Sequence, residues 1–119
     1  MSVKIYNCKE CGRAVLELKP GTNEFPMKEL KPFAVDGARE KHIPVYEVVD
    51  GVVEVNIGSI DHPMLPEHFI EYVVLETNQG KAVKMLQPGQ KPHVRFALVD
   101  GEEVVHVYAY CNLHGLWMA

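Results

Sequence analysis

The sequence predicts an all-β protein, an antiparallel sandwich or barrel with a short N-terminal extension. Three observations carry that expectation. Short runs rich in Val, Ile, Tyr and Phe follow one another from Pro44 onward, and their apolar residues recur with a period of two. Turn residues separate the runs at short spacing. No window of more than a few residues reads as an amphipathic helix.

From its start the chain offers Cys8-Lys9-Glu10-Cys11-Gly12, a candidate strand over 13–19, and a turn at Pro20-Gly21. Residues 1–31 hold too few apolar side chains for a core of their own, so the division falls near Lys31-Pro32 and the sandwich spans 32–119. The run 45–49 leads through Asp50-Gly51 into Val52–Ile57. Asp-Gly between β-branched runs is a strong hairpin signal, because glycine readily takes the positive φ of a tight turn. Val53, Val55 and Ile57 alternate with Glu54 and Asn56, which predicts one buried face and one wet face. Residues 69–77, the turn Asn78-Gln79-Gly80 and residues 81–86 form the next pair. The run 93–99 meets a second Asp-Gly turn at Asp100-Gly101 before 103–110. There Val105, Val107 and Ala109 are expected inside, with His106 and Tyr108 outside.

At 119 residues, 47% hydrophobic and 24% charged, the chain suits one compact domain with a core. A net charge of −4 implies no broad basic face, so no nucleic-acid partner and no anionic membrane is expected. No apolar run approaches the ~20 residues of a membrane span. The first residues lack the apolar stretch of a signal peptide, which makes a cytoplasmic protein the expectation. Where thiols stay reduced, three cysteines read as metal ligands or spare thiols rather than as a disulfide framework.

Three clusters outside the strand interiors could carry chemistry: Glu40-Lys41-His42 before Pro44, His62-Pro63 with His68, and Cys111-Asn112-Leu113-His114. Loops at one end of a rigid sandwich can converge on one point. Lone histidines inside strands are usually plain polar side chains, which is the reading for His93 and His106. Cys-x2-His closing a strand is more telling, since both side chains can reach one metal; a buried, unliganded Cys111 is the plain alternative. Together the clusters offer four imidazoles and one thiolate. That exceeds the four ligands of structural zinc, and the mixture suits iron or copper. Five protein ligands on an octahedral iron leave one position open for a small substrate. One thiolate offsets only half the charge of Fe²⁺, and Lys41 adds another positive charge, so the substrate is expected to be a small anion.

The stretches Glu40-Lys41-His42-Ile43-Pro44-Val45, His62-Pro63-Met64 with His68, and 110–117 with Cys111, His114 and Trp117 resemble superoxide reductase of the neelaredoxin and desulfoferrodoxin type. The resemblance covers roughly 28–119. It implies an immunoglobulin-like β-sandwich and one mononuclear iron, Fe²⁺/Fe³⁺, per chain. It implies His42, His62, His68 and His114 as equatorial ligands and Cys111 as the axial one. It further implies that Glu40 caps the sixth position in the oxidised resting state and that Lys41 attracts superoxide and organises water for protonation. The implied reaction is one-electron reduction of superoxide to hydrogen peroxide, with rubredoxin or a similar donor and a homodimer or homotetramer as the assembly.

Residues 1–31 resemble a vestigial desulforedoxin. Cys8-x2-Cys11-Gly12 matches the first half of a four-cysteine iron site, but Thr22-Asn23-Glu24-Phe25 stands where a second cysteine pair would be needed. No rubredoxin-like iron centre is expected within one chain. A disulfide, a free thiol pair and a metal shared between chains stay open for Cys8 and Cys11. The rival reading of the whole chain is a blue-copper electron carrier, because Cys111-x2-His114-x3-Met118 has the spacing of a cupredoxin ligand loop. Such a site needs only one further histidine, and here three are well placed.

Overall fold

The runs of β-branched and aromatic residues form strands, and the described residues, 3–34 and 42–119, contain no helix. In this computed structural model the chain falls into two units, Met1–Lys31 and Pro32–Ala119. In the first, β1 (Ile5–Asn7) lies between β2 (Ala14–Leu16) and β3 (Lys28–Glu29) in an antiparallel sheet. Tyr6 sits at its centre, edge-on to Phe25 at 4.8 Å, and its hydroxyl donates to Glu17 Oε1 at 3.2 Å. The strand expected over 13–19 is thus only the three residues of β2, and β1 and β3 were not anticipated.

The second unit holds β4 (Pro44–Val49), β5 (Val52–Ile57), β6 (Ile70–Thr77), β7 (Gly80–Met85), β8 (His93–Ala97), β9 (Val104–Cys111) and β10 (Gly115–Met118). They form two antiparallel sheets, ordered β4-β5-β8 and β10-β9-β6-β7. One apolar core lies between them. Val53, Val55 and Ile57 of β5 and Phe96 of β8 meet Ile70, Val73 and Leu75 of β6 and Val107, Ala109 and Cys111 of β9. The alternation along β5 is as expected, with its three aliphatic side chains fully buried. Each contributes roughly 1.5–3 kcal/mol by leaving water.

Along β9 the alternation fails. Val105 is exposed, whereas Tyr108, expected outside, is buried. Its hydroxyl donates to Glu76 Oε1 at 3.0 Å, and His106 Nδ1 lies 3.2 Å from the same oxygen. The neighbouring strand β6 is buried on both faces, so period-two burial does not apply there.

Asp50 and Gly51 take φ of 51° and 75°, and Val49 pairs with Val52 across a two-residue turn. Positive φ at both positions matches the right-handed twist of the flanking strands. The second Asp-Gly works differently. β8 pairs with β5 rather than with β9, so Asp100-Gly101 lies on the crossover from one sheet to the other. Glu102 holds that crossover, with Oε2 accepting from Thr77 Oγ1 at 2.7 Å and Oε1 from Val99 N at 3.1 Å. An Asp-Gly pair marks where the chain turns but not which strand comes next to it.

A Cβ on Gly51 would meet nothing closer than Leu98 O at 3.8 Å, so the cost of Gly51→Ala is backbone strain alone. The variant is expected to lose about 1 kcal/mol of unfolding free energy, read from urea midpoints. An unchanged midpoint would contradict the turn assignment.

Candidate metal centre

The sheet registers bring the ligand-bearing segments to one end of the sandwich. Pro44, the first residue of β4, pairs with Ile57, the last of β5. Ile70, the first residue of β6, pairs with Cys111, the last of β9. Four strand ends therefore lie together. His42 precedes β4, His62 follows β5, His68 precedes β6, and His114 follows Cys111 in the turn to β10.

The four rings form a closed cycle. Centroids are 5.0 Å apart for His42–His62, 4.8 Å for His62–His68, 5.0 Å for His68–His114 and 4.9 Å for His114–His42. Neighbouring planes are inclined by 63° to 83°. One ligand atom each from His42, His62, His68 and Cys111 lies within 4.8 Å of all the others. His114 joins through Nδ1, 3.1 Å from His42 Nε2 and 3.8 Å from Cys111 Sγ. Nitrogens bound at about 2.1 Å to one first-row metal would stand about 3.0 Å apart when adjacent and about 4.2 Å apart when opposite, so the set has the size of a metal cage.

Two features prepare these groups to bind a cation. His62 Nδ1 donates to the carbonyl of Pro63 at 2.7 Å, which leaves Nε2 with its lone pair. That buried nitrogen has no hydrogen-bond partner, as expected of an atom kept for a metal. Burial holds the His62 ring well below its usual 6.5, at about 4; the Pro63 carbonyl opposes the shift and the other three rings add to it. Burial also pushes the Cys111 thiol up, while the backbone N–H groups of Leu113 and His114 hydrogen-bond to it and pull it back. A cation would tip the balance to the thiolate.

Sequence reasoning missed two supporting residues. Asn112 ties the two ligand loops together: Oδ1 accepts from Phe69 N at 2.9 Å, Nδ2 donates to Glu67 O at 3.1 Å, and its own N–H donates to Phe69 O at 3.2 Å. An asparagine just after a strand is a common local hydrogen bonder, and that signal could have marked it. Trp117 stacks on His42 with centroids 4.6 Å apart and planes at 16°. No spacing in the sequence indicates that contact. His93 and His106 lie elsewhere, paired with Glu54 at 3.1 Å and Glu76 at 3.2 Å. Glu40 and Lys41 lie outside the described residues.

The desulfoferrodoxin family model matches residues 34–119. A desulfoferrodoxin from Syntrophotalea carbinolica is 42% identical over 121 residues, covering 97% of this chain and 94% of that one. The superoxide reductase of Treponema pallidum superposes with a TM-score of 0.87 at 35% identity, covering 99% of this chain and 98% of that one. The superoxide reductase (1Fe-SOR) of Giardia intestinalis gives a TM-score of 0.58 at 30% identity, covering 67% of this chain and 95% of its own.

Asn112→Ala should weaken metal binding about 10- to 100-fold, the usual effect of removing a group that orients ligands. Titration with a chelator would measure it, and parental affinity would show the clamp to be dispensable. The metal-free protein should lose stability as pH falls from 6.5 towards 4, because the unfolded chain protonates His62 over that window while the folded chain does not. Urea midpoints that stay constant from pH 7 to pH 4.5 would contradict this.

Proposed function

The chain belongs to the desulfoferrodoxin family, and from that premise we propose that it reduces superoxide to hydrogen peroxide at one iron held by His42, His62, His68, His114 and Cys111. It is a superoxide reductase, an oxidoreductase acting on superoxide. The observation that carries the finer reading is the closed cycle of four imidazoles beside a buried cysteine sulfur. A bound iron would supply the one-electron chemistry by cycling between its ferrous and ferric states. The reaction consumes superoxide, one electron and two protons and yields hydrogen peroxide.

The chain's own groups divide the remaining work. The four rings serve as neutral donors, and the buried His62 has lost its tendency to protonate near neutral pH. The Cys111 thiolate, steadied by two backbone N–H groups, offsets only one unit of a cation's charge. An anion is thus attracted to this end of the sandwich although the chain carries a net −4. Lys41, beside His42 in the sequence, is assigned to draw superoxide in and to order water for protonation. Glu40 would repel superoxide, and its assigned place is as a cap on the oxidised protein. Both roles rest on the family resemblance. A rubredoxin-like protein is the proposed electron donor, and a homodimer or homotetramer the proposed assembly. Four imidazoles exceed what the rival blue-copper site would use.

Lys41→Ala should slow the second-order reaction with superoxide by about tenfold or more and flatten its dependence on ionic strength, since steering is screened by salt. Glu40→Ala should keep that rate and change the visible spectrum of the oxidised protein. Stopped-flow rates at low and high salt decide. A Lys41→Ala variant as fast as the parent at both would remove the steering role.

A further inference from the structure

Cys8 and Cys11 take no part in the metal centre. They lie in the turn between β1 and β2, and their sulfurs are joined in a disulfide. Among the described residues, no metal-sized cluster of three or more ligands includes them. Two thiolates alone fall short of the four ligands a structural zinc or a mononuclear iron–sulfur site takes.

The bond also makes a poor staple. It closes a loop of only four residues, where the loss of chain entropy is smallest. The turn is already closed by backbone bonds, from Cys8 N to Arg13 O at 2.8 Å and from Gly12 N to Cys8 O at 2.9 Å. Gly12, at φ +73°, makes the reversal possible. The backbone can therefore keep the same shape with the bond open.

The two sulfurs are not equivalent. Cys11 is exposed and Cys8 is half-buried. Cys8 Sγ accepts the backbone N–H of Cys11 at 3.2 Å, a bond that stabilises a thiolate on Cys8. The exposed sulfur is open to attack, and the hydrogen-bonded one makes the better leaving group.

We propose that Cys8 and Cys11 form a reversible dithiol–disulfide site that exchanges with external thiols, protein dithiols in particular. A donor thiolate attacks Cys11 Sγ and forms a mixed disulfide, while the Cys8–Cys11 bond breaks and its electron pair stays on Cys8. The donor's second thiolate then attacks its own sulfur and releases Cys11. One donor dithiol is oxidised to a disulfide, one protein disulfide is reduced, and two electrons and two protons pass between them.

The test uses the full-length, iron-loaded protein in graded mixtures of reduced and oxidised dithiothreitol. Samples are quenched in acid, unfolded, alkylated with a maleimide and weighed by mass spectrometry. The chain has three cysteines, so the adduct count should fall from three to one across a reversible two-electron transition, leaving Cys111 labelled. Reduced glutathione added to the oxidised protein and quenched early should leave its mixed disulfide on Cys11 at least tenfold more often than on Cys8, as peptide mapping reads. Three adducts at every potential, or mixed disulfide spread equally over the two cysteines, overturns the proposal. So does a second metal ion per chain that Cys8→Ser removes.

Discussion

Cys111 stands among the clustered histidines because β9 ends opposite the start of β6. The ladder between them pairs Ile70 with Cys111, shifts register, resumes at Tyr72 with Tyr110, and shifts again between Glu76 and Thr77. Side chains alternate along a strand, so a slip of one residue would turn Cys111 away from the core end and carry Val107 and Ala109 outward with it. The apolar residues that make the wrong register expensive therefore also fix the sulfur. Just beyond the ladder, Asn112 takes both hydrogen-bonding partners of Phe69's backbone and ties the loop of His68 to the turn of His114. On the facing sheet, the pairing of Pro44 with Ile57 does the same for His42 and His62. The centre is a consequence of two strand registers and the core that enforces them.

Such a cluster is uncomfortable without a cation. Four rings crowd within 5.0 Å of their neighbours, and the other three add to the burial that disfavours a proton on His62. Burial already keeps His62 neutral, and it keeps Cys111 a thiol in spite of two N–H groups directed at its sulfur. A metal cation would reverse both penalties at once, by using the lone pairs that protons would take and by stabilising the thiolate. The Pro63 carbonyl adds selectivity of atom rather than strength. By holding the proton on His62 Nδ1 it leaves only Nε2 to bind.

Much of this was legible in the sequence, for reasons that differ residue by residue. The β4–β5 hairpin was readable because Asp50-Gly51 is a local signal acting on a local structure. The five ligand candidates stood out because Cys and His fall in three clusters outside the strand interiors, and the structure brings all five together. Residues whose role depends on distant partners were not readable. Asn112 acts on Phe69, and Trp117 acts on His42, across gaps in sequence that no periodicity spans. Tyr108 was assigned outward because alternation assumes a wet face, yet its hydroxyl meets a buried Glu76. Strand β10 has only four residues and follows a ligand turn, so its identity as a strand depends on the β9 ladder beside it.

The candidate ligands are not all held in the same way. His62, His68, Cys111 and His114 sit in turns or at strand ends tied by backbone hydrogen bonds, as with His62 N to Ile57 O at 3.1 Å and the paired bonds between Leu65 and His68. Next to His42, the Ile43 carbonyl accepts from Gly58 N at 3.1 Å. The His42 ring also lies against the indole of Trp117 on one face and touches His62 and His114. Trp117 is itself fixed by its place in β10 opposite Ala109 and by the ring of Phe33 at 4.9 Å. An aromatic stack thus adds to the contacts that orient His42.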